Sequence, residues 1–184
     1  MTITVRAAQL PDAAALAEVA AATFPLACPP HTTEEAKAHF IATMLSEERF
    51  AEYVADVERL VLVAVDAAET AARSEANIVG YGMVNFGEPD DADVAGALRI
   101  RPTAELSKCY VLAGYHGAGV AGALMEASLD AARARGAAGI WLGVNEENAR
   151  AQRFYEKQGY ERVGTKHFLV GDRLEDDYVF ERAL

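Results

Sequence analysis

The sequence predicts an α/β (α+β) fold, a single domain with one mixed central sheet and helices on both faces. Three observations predict it. Short β-branched and aliphatic runs of strand length, such as LVLVAV at Leu60–Val65, alternate with Ala-rich stretches of helical period. From about Ala104 onward the order reads β-α-β-α-β-β, the alternation that builds a sheet covered by helices. No internal repeat or linker divides the 184 residues, a length that suits one domain burying roughly 70% of its unfolded surface.

Ile3–Ala7 alternates polar and apolar residues and predicts the first strand. After Pro11 and Asp12, AAALAEVAAAT predicts a helix with Leu16, Val19 and Ala20 on one face. Pro25, Pro29 and Pro30 predict a loop over Phe24–Thr33. Thr33–Ser46 reads as a helix with Thr32 or Thr33 as N-cap, and Glu47–Asp56 as another helix or two turns. Leu60–Val65 is continuously apolar, as a central strand buried on both faces would be. Asp66–Asn77 is a polar loop, and Ile78–Phe86 is the next strand, whose Gly80 and Gly82 permit a bulge or close contact. Gly87–Thr103 reads as a second polar loop. The strand Ala104–Leu112 leads through AGYHGAG into a helix from about Ala118 to Arg135, ended by Gly136. Ala121, Met125, Leu129 and Ala132 form its predicted buried stripe. Ile140–Val144 is a short strand, followed by a helix from about Asn148 to Gln158, with Asn145 or Asn148 as N-cap and Gly159 just past its end. Tyr160–Val170 and Tyr178–Leu184 close the chain as a hairpin around GDRLED.

Composition narrows the function. Lys and Arg number 17 against 28 Asp and Glu, a formal charge of −11 that repels phosphate backbones and argues against nucleic-acid binding. The same charge favours cationic substrates, although acidic surfaces also serve solubility. Cys28 and Cys109 are far apart, and the four histidines lack ligand spacing. Neither a disulfide framework nor a metal site is expected. The N-terminus lacks the layout of a signal peptide, and Glu18 and His116 interrupt the two best apolar stretches. A cytoplasmic protein without membrane partners is the expectation.

The stretch Glu105–Glu126, ELSKCYVLAGYHGAGVAGALME, carries the most chemistry. A strand ends, glycines follow and a helix begins. Such a junction turns unpaired N–H groups and the positive helix end toward one point, which suits phosphate oxygens. A tight turn that merely permits the fold explains the glycines as well. Gly117-x-Gly119-x-x-Gly122 also fits the dinucleotide-binding pattern. That pattern wants an acidic residue about 20 residues on and a second βαβ half, whereas about 40 residues remain after Asn145.

WLGVNEENARAQRFYEKQGYERVG (Trp141–Gly164) adds a second motif, running strand, helix, glycine stop, strand. Together the two stretches closely resemble the GNAT superfamily of N-acetyltransferases. The family's Gln/Arg-x-x-Gly-x-Gly/Ala signature falls on His116, Gly117, Ala118, Gly119, Val120 and Ala121, with His in the first position. Its Asn-x-x-Ala-x-x-Phe-Tyr-x-x-x-Gly-aromatic signature falls on Asn148, Ala151, Phe154, Tyr155, Gly159 and Tyr160. The resemblance covers residues 78–184 and is compatible with the whole chain. It implies a GNAT-like sheet in which Glu105–Leu112 splays from its parallel neighbour Ile140–Val144 and offers unpaired backbone groups to pantetheine. It implies acetyl-CoA as co-substrate, with no metal. Val111, Leu112 and Ala113 would contact pantetheine and thioester, and Gly117 to Gly122 the diphosphate. His116 and Asn148 would lie at the cofactor. Arg150, Arg153 and Lys157 would face the nucleotide, or form a solvated helix face.

The implied reaction is direct transfer to a primary amine. With a pKa near 10.4, only about one such amine in a thousand is neutral at pH 7.4, a deficit of about 4 kcal/mol. A base or desolvation must make it up. Glu105 is the candidate base, with a surface carboxylate as the alternative. The resemblance places the general acid at Tyr155, otherwise a packing aromatic like Phe154. An N–H near Val111 or Leu112 would stabilise the oxyanion. Cys109 reads as a buried thiol rather than an acyl carrier. Acceptor choice is expected in Phe24–Asp56 and Gly87–Thr103, both rich in Asp and Glu. The ending, with Val163-Gly164, Gly171-Asp172 and Asp177-Tyr178, is loosely similar to PaiA-type polyamine acetyltransferases. The partners implied are acetyl-CoA and a small amine or polyamine such as spermidine, with a homodimer left open. A protein N-terminus or lysine is an alternative acceptor, and a non-catalytic acyl-CoA sensor an alternative class.

Overall fold

A computed structural model describes residues 2–67, 77–170 and 173–184. Most of the loop expected between Asp66 and Asn77, and the Gly171-Asp172 pair, lie outside the described residues. Strand β1 (Ile3–Ala7) leads into helix α1 (Ala13–Ala27), α2 (Glu34–Met44) and α3 (Glu47–Ala55). Strands β2 (Arg59–Asp66) and β3 (Ile78–Phe86) follow, then the short helix α4 (Ala92–Ala97) and strand β4 (Thr103–Val111). Helix α5 (Val120–Ala134), β5 (Gly139–Asn145), α6 (Ala149–Lys157), β6 (Glu161–Val170) and β7 (Arg173–Ala183) complete the chain. The strands form one sheet in the order β1-β2-β3-β4-β5-β7-β6, antiparallel throughout except for β4 beside β5.

The sheet is buried on both faces by different helices. On one, Leu16, Val19, Ala20 and Phe24 of α1 and Phe50 and Tyr53 of α3 pack against Val61, Val63, Tyr81 and Met83. On the other, Leu124, Met125, Leu129 and Ala132 of α5 cover Ala64, Val79, Leu106, Ile140 and Leu142. That double cover explains why β2 reads as an unbroken apolar run: six consecutive residues, Val61–Asp66, are buried. Gly80 is required by a close approach, since a Cβ there would sit 2.8 Å from the Tyr110 carbonyl oxygen.

Four sequence expectations are corrected. Helix α1 continues through Pro25 to Ala27 rather than giving way to a loop from Phe24. Phe24 is buried and stacks on Phe40 at 4.5 Å between centroids, so packing offsets the one hydrogen bond that Pro25 cannot donate. The stretch 87–103 contains α4, capped by Asp91, whose Oδ1 accepts from the Asp93 and Val94 amides. On α5 the buried stripe is Leu124, Met125, Ser128, Leu129 and Ala132, while Ala121 is only half-buried. Strand β7 begins at Arg173, so Leu174–Asp177 belong to the strand.

Residues Leu10–Ala27 have a mean hydropathy of 1.2 over 18 residues, apolar enough by composition to cross a bilayer. In the fold, Leu16, Val19, Ala20 and Phe24 of this stretch are part of the core.

The feature that positions the site is the short partnership of the two parallel strands. They pair at Thr103–Gly139, Ala104–Ile140 and Glu105–Trp141, and no further. Strand β4 continues to Val111 along β3, and β5 continues to Asn145 along β7. The register of β4 on β3 slips at the point of divergence. Lys108 lies opposite Met83 and Leu106 opposite Val84, leaving Ser107 as the bulged residue. A bulge bends its strand and increases its twist. Here it turns β4 away from β5 and opens a wedge in the middle of the sheet.

Candidate active site

At the open end of the wedge β4 runs into the glycine-rich turn. Gly117 and Gly119 have φ of +83° and +82°, a region costing L residues roughly 1–2 kcal/mol. Gly119 is the N-cap of α5. The amides of Gly117, Gly119, Val120, Ala121 and Gly122 have no acceptor among the described residues. Nothing lies within 4 Å of the Cβ that Gly117, Gly119 or Gly122 would carry. Several convergent donors at a helix N-terminus, with open space above them, fit a diphosphate.

The backbone of β4 is divided between its two neighbours. The Leu112 amide donates to the Val79 carbonyl at 2.9 Å, so that N–H is spent on β3. By strand alternation, Cys109 and Val111 turn their amides toward the wedge. Of the two oxyanion donors considered from sequence, Val111 is the one left free. The Val111 carbonyl meets His116 Nε2 at 2.9 Å, so the atypical histidine of the signature folds back on the strand end.

A cavity of about 580 Å³ runs through the wedge and joins the two faces of the sheet. It brings together Glu105, Val111, His116, Ala121, Asn148 and Tyr155 from the sequence-derived set. Leu112, Ala113, Gly117, Ala118, Gly119, Val120 and Gly122 lie on the adjoining turn and first helical turn, outside the lining. Val120 is buried beneath the sheet. The Asn148 side chain caps α6 by accepting from the Ala151 amide at 3.0 Å, and its amide nitrogen faces outward from that bond. Tyr155 packs edge-on to Phe154 and Tyr160, at centroid distances of 5.3 and 5.8 Å. Burial holds its phenol well above the ordinary tyrosine range, so it stays a proton donor at physiological pH. Burial pushes the Cys109 thiol up to about 12, which removes its thiolate and with it an acyl-cysteine route.

On the opposite face the cavity is roofed by the end of α1 and by α2 and α3, through Phe24, Cys28, Phe40, Met44 and Tyr53. Its floor is polar. Glu105 Oε2 accepts from Asn85 Nδ2 at 2.6 Å. Asp177 and Glu175 on β7 are almost fully buried, and Glu175 Oε1 lies 2.7 Å from His31 Nε2. His31 also approaches Glu147 at 3.7 Å, tying the segment between α1 and α2 to the far wall. Burial lifts the Asp177 carboxyl to about 6, against the pull of Lys166 and a hydrogen bond from Asn145. Burial lowers the Lys108 ammonium to about 8; Glu105 opposes the fall, and Arg59 and Lys166 add to it.

Sequence reasoning missed Lys108, Lys166, Glu175 and Asp177. The signal was the alternation in RLEDDYVF, where Glu175 and Asp177 share the buried face with Val179. The expectation that Gly87–Thr103 selects the acceptor is corrected, because α4 packs Val94 and Leu98 on Trp141 and Val179 instead. None of the acidic residues counted there, or on α2 and α3, lines the cavity. Arg150 does line it, whereas Arg153 and Lys157 are exposed outside it. Among the described residues no cluster of His, Cys, Asp and Glu is arranged to hold a metal ion.

A parallel pair parted beside a bulge, with a helix N-terminus at its open end, makes this an α/β sheet with a slot suited to a phosphate-bearing carrier. The sequence profile of the Acetyltransferase (GNAT) family matches residues 22–160, and the chain belongs to that family. Its relatives include an uncharacterized N-acetyltransferase of Mycobacterium tuberculosis, 48% identical over 173 residues, 94% of this chain and 98% of that one. The fold is similar to PaiA N-acetyltransferase from Thermoplasma acidophilum, solved in complex with coenzyme A. That likeness has a TM-score of 0.77 and 19% identity over all of both chains. NAA60 of Arabidopsis thaliana, solved with a bisubstrate analogue, has a TM-score of 0.75 and 19% identity over 99% of this chain and 98% of that one.

Proposed function

We propose that the protein is an acetyl-CoA-dependent N-acetyltransferase that passes the acetyl group directly to a primary amine. The observation that carries this reading is the single cavity through the wedge. It adjoins, at His116 and Ala121, the turn whose amides have no acceptor among the described residues, and it extends to a carboxylate-bearing pocket beneath α1 and α2. A thioester carrier entering from the turn and an amine entering from beneath α1 and α2 would meet between β4 and β5. Acetyl-CoA supplies the activated acyl group.

The chain's own groups do the rest. The turn amides and the α5 N-terminus bind the diphosphate. The outward amides of Cys109 and Val111 lie along the acyl path as oxyanion donors. Glu105, held by Asn85, sits where the strands part and accepts a proton from the amine directly or through water. The Tyr155 hydroxyl has no hydrogen-bond partner among the described residues and donates to the departing sulfur. A polyamine acceptor is supported by Glu105, Glu175 and Asp177 in the pocket, but the same pocket holds the ammonium groups of Lys108 and Lys166.

Two measurements on the purified protein test this. Acetyl-CoA should raise its melting temperature, and a panel of small amines, polyamines and peptides should release free CoA thiol. Stabilisation without thiol release across the panel would replace the enzyme with an acyl-CoA sensor. Stabilisation by a nicotinamide dinucleotide instead would overturn the cofactor assignment.

A further inference from the structure

We infer that the acceptor carries an anionic group beside its reacting amine, and that Lys108 is the residue that binds that group. The inference rests on the acetyl-transfer reading of the same cavity.

Lys108 follows the Ser107 bulge and lies in register with Met83, which places its side chain on the acceptor face with Glu105 and Tyr110. Its Nζ lines the pocket, with the Ser107 hydroxyl at 3.5 Å and the Tyr53 ring centroid at 5.6 Å. Among the described residues no carboxylate is within ion-pair distance of it, and Glu105 acts on it only from further away. The other cations nearby are engaged. Arg59 Nε binds Asp56 at 2.9 Å, and Lys166 shares the β6–β7 wall with Asp177.

The pocket is therefore polar in a directional sense. Buried carboxylates, Asp177 and Glu175, stand on the β7 side; on the β4 side Glu105 is held by Asn85, and the Lys108 ammonium has no carboxylate within ion-pair distance among the described residues. Burial is the main cost of the charge on Lys108; Glu105 offsets part of it, and Arg59 and Lys166 add a smaller repulsion. A bound anion relieves the repulsion, whereas a second ammonium on the acceptor increases it. Tyr53 keeps the arrangement in place: its hydroxyl donates to the Met44 carbonyl at 3.1 Å, and its ring packs edge-on against Phe50. An amine whose chain ends in a carboxylate or similar anion fits these charges better than a polycation does.

The test uses three acceptors of one chain length, ending in carboxylate, methyl and ammonium: δ-aminovalerate, n-pentylamine and cadaverine. With acetyl-CoA and wild-type enzyme, kcat/KM should fall in that order. The first step should be about tenfold or more, the scale of one hydrogen bond to a charged group. Lys108→Met should erase most of that step by raising KM for δ-aminovalerate, and Lys108→Arg should restore part of it. Valerate, which cannot be acetylated on nitrogen, should raise the melting temperature of the CoA-loaded wild type and not of Lys108→Met. Cadaverine as the best acceptor, or a carboxylate preference unchanged in Lys108→Met, overturns the inference. Lys108-dependent stabilisation by valerate without thiol release from any acceptor would keep the anion site and sink the acetyl-transfer reading. Thiol release without that stabilisation would do the reverse.

Discussion

The two mouths of the cavity are built from different materials. On the turn side the proposed binding groups are main-chain amides, from Gly117 to Gly122, positioned by two residues of positive φ and a helix start. On the acceptor side they are side chains from β4, β6 and β7 under a roof from α1, α2 and α3. Main-chain donors recognise a diphosphate whatever the neighbouring side chains are. Side-chain recognition changes with each substitution, so specificity can change there without disturbing the carrier's seat. The difference is one of chemistry as well as of origin: donors alone on one side, charges of both signs on the other.

Substitutions that strike one mouth and spare the other break or sharpen this comparison. The largest effect is expected between the two. Tyr155→Phe should lower kcat by about a hundredfold or more, the scale of a positioned proton donor. The dissociation constant for acetyl-CoA, measured by calorimetry, should stay close to wild type. If binding weakens as much as turnover, Tyr155 is a packing residue of α6. Next comes the turn. Gly119→Ala forces an L residue to φ +82°, costing about 1–2 kcal/mol of stability. Its methyl also stands over the amide cradle, so acetyl-CoA should bind about tenfold or more weakly. Competition between acceptors should not change.

On the acceptor wall the expected effect is on the pH dependence of stability rather than on turnover. Asp177 has an ordinary value of 3.8 and is lifted by burial to about 6. Between these values the folded state binds more protons than the unfolded chain, so stability declines as pH rises through that window. Above about 6 the whole cost of the buried charge is present. Asp177→Asn removes it, and the variant should be more stable than wild type at pH 8 by about 2–3 kcal/mol. The gap should close toward pH 4 in chemical-denaturation curves. A gap that widens on acidification would mean that Lys166 makes the ionised carboxylate stabilising.

Legibility followed the same division. The glycine turn and the helix start at Asn145 or Asn148 fall in two short stretches read by local rules of strand end, helix start and helix stop, and the family resemblance carried by the same stretches singled out Tyr155. The parting of β4 and β5 was expected as well, though its cause, the Ser107 bulge, depends on register with β3. Where the reading failed, tertiary contacts had outweighed local signals. Pro25 marked a loop, yet Phe24 stacked on Phe40 carries the helix past it. Acidic counts on α2, α3 and Gly87–Thr103 marked an acceptor mouth, yet α4 packs on Trp141 and Val179 instead.

By itself the sequence determined the sheet-and-helix order and the glycine-rich turn proposed as the carrier's cradle, because both rest on hydrogen bonds and dihedrals among residues close along the chain. Only the tertiary structure decided which charges face the acceptor. Lys108, Lys166, Glu175 and Asp177 lie on three strands; strand pairing makes them neighbours, and burial shifts the protons of Lys108 and Asp177.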